Sequence, residues 1–381
     1  MSRKINLVFV GGIRPHYIKL FAFQSIFKRL PDTLKEKFDI IYINAAQHYD
    51  YSLSAMFTED LNIHFDYTLV HSKSDTNSIY GSILERLCAL FDELMEINQI
   101  DYVVVIGDVV TTAIASLCAK IKHLKLIHLE AGSWSRNNAN IQGIEVYLRS
   151  VANILADYCF TSTKEDLTGL SSECQFARSY FTGDLIYDFI KRNKDNICQR
   201  NTFSYYLNGS LNSFNCNDKF VLLSIHHSEN LSARSLNNFF KSVKSVRHKK
   251  LFIAHPKVLS LLDEYNINID SDTIIVEGIP FLDNLTAICN SEYVVTDSSG
   301  IQREAFYFNK RCLVCSELLV WQTIIDLGSN LKVGCTTAEI SDGLIWAEEH
   351  KNDIIQNSHL FGEGNSVELI LNTISNHYEE R

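Results

Sequence analysis

Proline is scarce in this chain, with 4 in 381 residues, and glycine is modest at 16. That excludes a collagen-like repeat and a Pro/Gly-rich disordered tract. A basic excess is missing too: 35 Lys and Arg against 45 Asp and Glu leave a formal charge of -10. A nucleic-acid protein would have to hide a basic groove inside an acidic body, so that class is set aside. No run reaches the roughly 18 apolar residues of a membrane span. The opening MSRKINLVFVGGIRP is apolar over too short a stretch for a signal peptide. The expected location is the cytoplasm, with no membrane partner. The ten cysteines lack the dense spacing of a small secreted scaffold and fall in apolar runs (Cys88, Cys118, Cys289, Cys312), so they are expected to be reduced and mostly buried. Cys312 and Cys315 form a single CxxC without the second pair of a zinc site, and no metal site is expected. Neither GxGxxG nor a Walker loop is present.

What is present is alternation. INLVFV (5–10), IIYINA (40–45), YVVVIG (102–107), LKLIHLE (124–130) and YCFTS (158–162) read as buried parallel strands, each followed by a segment of helical periodicity. FVLLSIHH, KLFIAHP, TIIVEG, EYVVTDSSG and RCLVCSE form a second such series. The fold class is therefore α/β, with two Rossmann-like doubly wound domains and an interdomain cleft. The boundaries are a first domain over 1–193, a polar Asn- and Ser-rich surface connection over 194–219, and a second domain over 220–360. A C-terminal helix over 361–381 is a candidate to pack back on the first domain.

Ligands of open α/β sheets gather at the carboxyl ends of strands, so polar residues directly after a strand are the candidates. GGIRPHYIK allows a tight turn and sets Arg14 and Lys19 about the start of a helix, an arrangement suited to a phosphate or to two solvated cations. Asp108 and Glu130 each end a buried strand, where a carboxylate is costly unless it has a partner or a ligand; acid–base work competes with helix capping for Asp108. Glu145 precedes Arg149 by one helical turn, the spacing of an ordinary surface ion pair. His226 and His227 follow a strand directly. In TDSSGIQREA, Ser298, Ser299 and Gly300 open a turn at a helix start whose amides suit a phosphate, and Glu304, expected in the first turn, suits sugar hydroxyls. From the residues alone this is a sugar-nucleotide enzyme in outline, with the reaction open.

The motifs resemble, in order, those of the UDP-N-acetylglucosamine 2-epimerase family: GGIRPHYIK its G-T-R-P-x-x-I-K, VVIGDVVTT its G-D-T-T-T, HLEAG its H-V-E-A-G, SIHHSEN its H-R-x-E-N, and TDSSGIQREA its T-D-S-G-G-I-Q-E-E-A. HYDYSLSAMF and AHPK lean towards the subgroup acting on UDP-2,3-diacetamido-glucuronic acid. The resemblance implies a GT-B-like pair of domains and a catalytic set of Asp108, Glu130, Glu145 and His226, with Arg14 and Lys19 near the diphosphate. It further implies Ser298, Ser299 and Gly300 on the phosphates, Glu304 on the ribose, no cofactor, and a homodimer. The implied reaction removes the C2 proton as UDP departs from C1, then reprotonates the 2-acetamidoglucal from the other face as UDP adds back. Alternatives are a hydrolysing epimerase that releases UDP and a free ManNAc-type sugar, a glycosyltransferase of the same fold, and a UDP-sugar-binding protein.

Departures from the motifs carry information. Trp134 stands for an Arg, His227 for the Arg of H-R, Ser299 for a Gly, and Asn284 for a Phe thought to stack on the base. SELLVW (316–321) lacks an Arg and a Thr-Glu pair. Gln47 and His48 match a segment where bacterial members bind a second UDP-GlcNAc, but Asp50 and KSDT (73–76) depart from it, so strong activation by substrate is not expected.

Overall fold

The structure, a computed structural model, describes residues 3–47, 61–71, 79–132, 143–174, 176–207, 209–316, 321–334, 336–355 and 359–379. Trp134, His48, Asp50 and the 73–76 segment, all noted above, lie outside them. The chain divides into two compact units: Met1–Arg192 with His359–Arg381, and Asn193–Ser358.

The first unit is built on a parallel sheet. Its strands are β1 (Ile5–Gly11), β2 (Phe38–Asn44), β3 (Tyr67–Thr68), β4 (Tyr102–Ile106), β5 (Lys125–Ala131), β6 (Tyr158–Thr161) and β7 (Arg178–Phe181), in the spatial order β3-β2-β1-β4-β5-β6-β7. β4, YVVVI, is buried along its whole length, as β-branched residues covered on both faces should be. The order reverses between β1 and β4, which makes their carboxyl ends the topological switch point. Pro15 sits in the first turn of the helix Arg14–Phe27, where its missing N–H removes no helical bond. The C-terminal helix Ser366–Glu379 packs against Arg14–Phe27. It is tied down by Val367 N–H donating to Asp188 at 3.1 Å and by Lys37 to Glu379 at 3.1 Å.

The second unit opens with an antiparallel hairpin, β8 (Thr202–Leu207) and β9 (Ser210–Asn215). This corrects the expectation of a bare connection over 194–219: the preceding helix runs Leu185–Cys198, and Phe203 and Phe214 stack at 5.0 Å and are buried. The polar residues that made the segment look like a loop lie mostly on the hairpin's outer side. The main sheet, in the order β12-β11-β10-β13-β14-β15, consists of β10 (Phe220–Ser224), β11 (Lys249–Ile253), β12 (Thr273–Val276), β13 (Val294–Thr296), β14 (Cys312–Val314) and β15 (Asn330–Lys332). Its switch point lies between β10 and β13. The cysteine expectation also needs correction. Cys198 and Cys289 are joined in a disulfide although 91 residues apart, because the end of Leu185–Cys198 lies beside the helix Phe281–Asn290. Cys118, Cys159, Cys312 and Cys315 are buried thiols outside the disulfide. Among the described residues no helix is long and apolar enough to cross a membrane.

Candidate functional site

In the first unit the switch point gathers a buried charge network. β1 runs out at Gly11; a Cβ on the next residue, Gly12, would lie 2.5 Å from Thr111 Oγ1, so only glycine lets the turn pass the following helix so closely. β4 is followed by Gly107, whose φ of 66° turns the chain into Asp108. Glu130 has a φ of 54°, and the register of β5 against β6 slips between Leu129 and Ala131. For a non-glycine residue this left-handed conformation costs ~1–2 kcal/mol, and the irregularity re-aims the carboxylate out of the strand's alternation.

These turns bring together Lys19, Asp108, Glu130 and Arg149. Lys19 Nζ pairs with Glu130 Oε2. Arg149, buried on the helix Ile144–Leu155, donates to Asp108 Oδ2 at 2.5 Å and to the Glu130 carbonyl. Arg149 therefore belongs to the strand ends, not to a surface pair. Burial works against the charged form of Asp108, but Arg149 and then Lys19 outweigh it and hold the carboxyl below its usual range.

Two buried histidines support the network. His16 Nδ1 accepts from Gly12 N–H at 3.3 Å, and its Nε2 lies 3.3 Å from Thr112 Oγ1, whose own proton goes to the Ile106 carbonyl at 2.7 Å. This pattern assigns the neutral Nε2–H tautomer. Burial and Lys19 push His16 down to about 4. His128 Nε2 meets the Gly107 carbonyl at 2.8 Å, and burial and Arg149 push it likewise to about 4. Gln47 caps the helix Val110–Ile121 by accepting from Thr111 N at 3.2 Å. Arg14 is exposed at the start of Arg14–Phe27, and Glu145 is exposed in the first turn of Ile144–Leu155, where a carboxylate suits the helix N-terminus.

The second unit holds the other candidates, again at its switch point. β10 and β13 run parallel with Ser224 opposite Thr296, so the residues just beyond them are neighbours. Asp297, fully buried, accepts from His226 N at 3.0 Å, His227 N at 2.9 Å and Asn230 Nδ2 at 3.0 Å. His226 Nδ1 lies 3.2 Å from Asp297 Oδ1. Ser298 is the N-cap of the helix Ser299–Tyr307, which carries Gly300 and Glu304. Glu304 sits in the second turn, not the first, and accepts from Asn284 Nδ2 at 3.3 Å. Trp321 donates through Nε1 to the Ser299 carbonyl at 3.1 Å and lies under the Arg303 guanidinium at 5.0 Å. The sequence reading singled out neither His16 nor His128 nor Asp297. Asp297 had a usable signal: an acid directly after EYVVT, at a strand end like Asp108.

The profile of the UDP-N-acetylglucosamine 2-epimerase family matches residues 32–375. The chain belongs to that family. Family members are epimerases, and the chain is an enzyme of the isomerase class. It is 26% identical, over 98% of its length and 100% of the relative's, to a UDP-N-acetylglucosamine 2-epimerase homolog of Methanococcus maripaludis. It is 24% identical to the UDP-2,3-diacetamido-2,3-dideoxy-D-glucuronate 2-epimerase of Pseudomonas aeruginosa, over 87% of this chain and 88% of that one. In fold it is similar to the Methanocaldococcus jannaschii UDP-GlcNAc 2-epimerase solved with UDP-GlcNAc and UDP, with a TM-score of 0.76, 21% identity, and coverage of 97% and 99%.

Proposed function

We propose that the chain epimerises C2 of a UDP-linked acetamido hexose, UDP-GlcNAc to UDP-ManNAc in type, as a step in supplying surface-polysaccharide precursors. The observation that carries this reading is the pair of salt-bridged carboxylates, Asp108 on Arg149 and Glu130 on Lys19, at the switch point of a family member. Inversion by proton transfer needs one group to take the C2 proton and another to return one to the opposite face. Asp108, Glu130 and Glu145 are the proposed acid–base groups, with His226 completing the set. When the C2–H bond breaks, its electrons form the glycal double bond, and the C1–O pair leaves with UDP; re-addition reverses both. Arg14 and Lys19 are proposed to neutralise the departing diphosphate. Ser298, Ser299 and Gly300 at their helix start are proposed to hold the phosphates through backbone and hydroxyl groups, and Glu304 the ribose.

A second reading, release of UDP and free sugar, has one observation in its favour: Lys19 is committed to Glu130, which leaves less charge to retain UDP. Proton NMR with UDP-GlcNAc in D2O, then with the 2,3-diacetamido sugar nucleotide, separates the two. Deuterium at C2 in a UDP-linked product supports epimerisation. Free UDP with a reducing sugar selects hydrolysis, and no C2 exchange on either substrate refutes both.

A homodimer is part of the proposal. On the helix Ile144–Leu155, Ile144, Tyr147, Val151 and Ile154 are 62%, 68%, 41% and 61% exposed, an apolar stripe of the kind that marks an association surface. Sedimentation of the wild type as a dimer and of Tyr147→Glu as a monomer is expected; a monomeric wild type would remove this part.

A further inference from the structure

We propose that His226, His227 and Asp297 form a binding site for a divalent transition-metal ion of the zinc, nickel or cobalt class. The argument starts from strand register. Ser224 of β10 faces Thr296 of β13, so the next residues of each strand emerge side by side, two imidazoles from one and a carboxylate from the other. Their ligand atoms all lie within 4.8 Å of one another. Two donors bound tetrahedrally at ~2.0–2.1 Å stand about 3.3 Å apart; His226 Nδ1 and Asp297 Oδ1 are already 3.2 Å apart. Neither ring is locked in the interior: the His226 side chain is 37% exposed and His227 is half-buried.

Donor chemistry narrows the ion. Two imidazoles and one carboxylate favour borderline cations over calcium or magnesium, which prefer oxygen cages. Three protein ligands leave coordination positions open to solvent or to a ligand oxygen. Asp297 is prepared as a ligand should be: the His226 and His227 amides and Asn230 Nδ2 fix its orientation, the outer-shell bonding that metal-ligating carboxylates need. The donors reaching it are N–H groups and one imidazole, and among the described residues no Lys or Arg pairs with this buried carboxylate.

Position 227 gives the site a use. The motif quoted above reads H-R, and this chain reads His-His, so a bound ion would return positive charge where the arginine stands in the motif. Resting on the proposed UDP site, this predicts that the ion tightens UDP binding.

The test is calorimetric titration of the reduced full chain with Ni2+, for the wild type and His227→Arg. Buried and half-buried thiols are the same in both, so the difference isolates this site. One Ni2+ equivalent present in the wild type and lost from His227→Arg is expected, with affinity weakened by at least the ~10–100-fold that loss of even an outer-shell partner costs. Identical isotherms would overturn the site. UDP is then titrated with and without Ni2+. Tighter UDP binding in the wild type alone is expected. Unchanged UDP affinity with Ni2+ bound would overturn the link to the nucleotide, and no UDP binding under any condition would refute the proposed UDP site while the first titration still decides the ion.

Discussion

The two units solve the same topological problem with different chemistry. Each has its sheet order reversed between a first and a fourth strand, and each places an aspartate within two residues of that fourth strand's end, Asp108 in one and Asp297 in the other. Asp108 meets a buried guanidinium, whereas Asp297 is held by amides and one imidazole. The ion-paired arrangement sets two carboxylates beside cations, which suits groups that must accept and return protons. The amide-held arrangement fixes a loop and a helix start, which suits binding an anion through backbone donors. The lesson is that a strand-end acid is a landmark in this fold, and its partners, not its position, say what it does.

The largest test of that contrast removes charge without removing shape. Asp108→Asn or Glu130→Gln should lower kcat by ~10²–10⁴, the usual contribution of a positioned acid or base, while UDP affinity stays within about twofold. Isothermal titration beside the kinetic assay reads both. A parallel loss of turnover and UDP binding would mean that the first unit's network serves binding, and the division of labour would collapse.

The next test concerns acid. Both fully buried histidines among the described residues, His16 and His128, belong to the first unit. Each is pushed down to about 4 in the folded chain from an ordinary 6.5, so between those values the unfolded chain binds protons that the folded one refuses. Their contribution is complete above pH 6.5, declines as pH falls, and is lost near 4. By pH 5 about 2 kcal/mol of it is already lost for each imidazole. Urea unfolding at pH 7 and 5, followed by proteolysis fragments from each unit, should show the first unit failing earlier. A His128→Asn chain should lose less between the two pH values; an unchanged slope would show that other groups set the acid limit.

Reduction tests the other unit. Cys198 and Cys289 both lie in Asn193–Ser358 and close a separation of 91 residues. Opening such a loop costs ~2–4 kcal/mol through the freedom regained by the unfolded chain. Dithiothreitol should therefore destabilise the second unit by that amount and leave the first unchanged. Thiol titration of unreduced, unfolded protein should find two fewer thiols than the ten cysteines. Ten reactive thiols would show that the pair stays reduced in solution.

The sequence made the centre of each sheet readable and its edges obscure, for physical reasons. β1, β4, β5, β10 and β13 are covered on both faces and read as continuous apolar runs. β3, β7 and β15 are short edge strands of two, four and three residues, without enough buried positions to signal a pattern. The hairpin β8–β9 is built from polar residues around Phe203 and Phe214, and polarity hid it. Asp108, Glu130 and the glycine-rich turns were legible because a charge beside a buried strand is anomalous, whereas Asp297 was hidden by the Ser-Ser-Gly turn that follows it. Arg149 was legible only in part: its spacing from Glu145 is that of a surface pair, the family resemblance argues against that, and only the folded chain shows the guanidinium turned towards Asp108. The Cys198–Cys289 bond has no local signature at all, since the pairing is made by tertiary packing.

The finest distinction concerns how the second unit's helix start is held. Trp321 donates to the Ser299 carbonyl and lies against Arg303, so it braces the first turn of Ser299–Tyr307, where the phosphates are proposed to bind. A neutral hydrogen bond contributes about 1 kcal/mol and an exposed cation–π contact ~0.5–1 kcal/mol. Their joint loss in Trp321→Ala should weaken UDP binding roughly tenfold. Trp321→Phe keeps a ring for Arg303 but loses the N–H, and should fall between the two. If Phe is as damaging as Ala, the hydrogen bond to Ser299 alone positions the turn. If neither change alters UDP affinity, the helix start does not hold the phosphates, and the contrast between an ion-paired unit for proton transfer and an amide-lined unit for anion binding loses its second half.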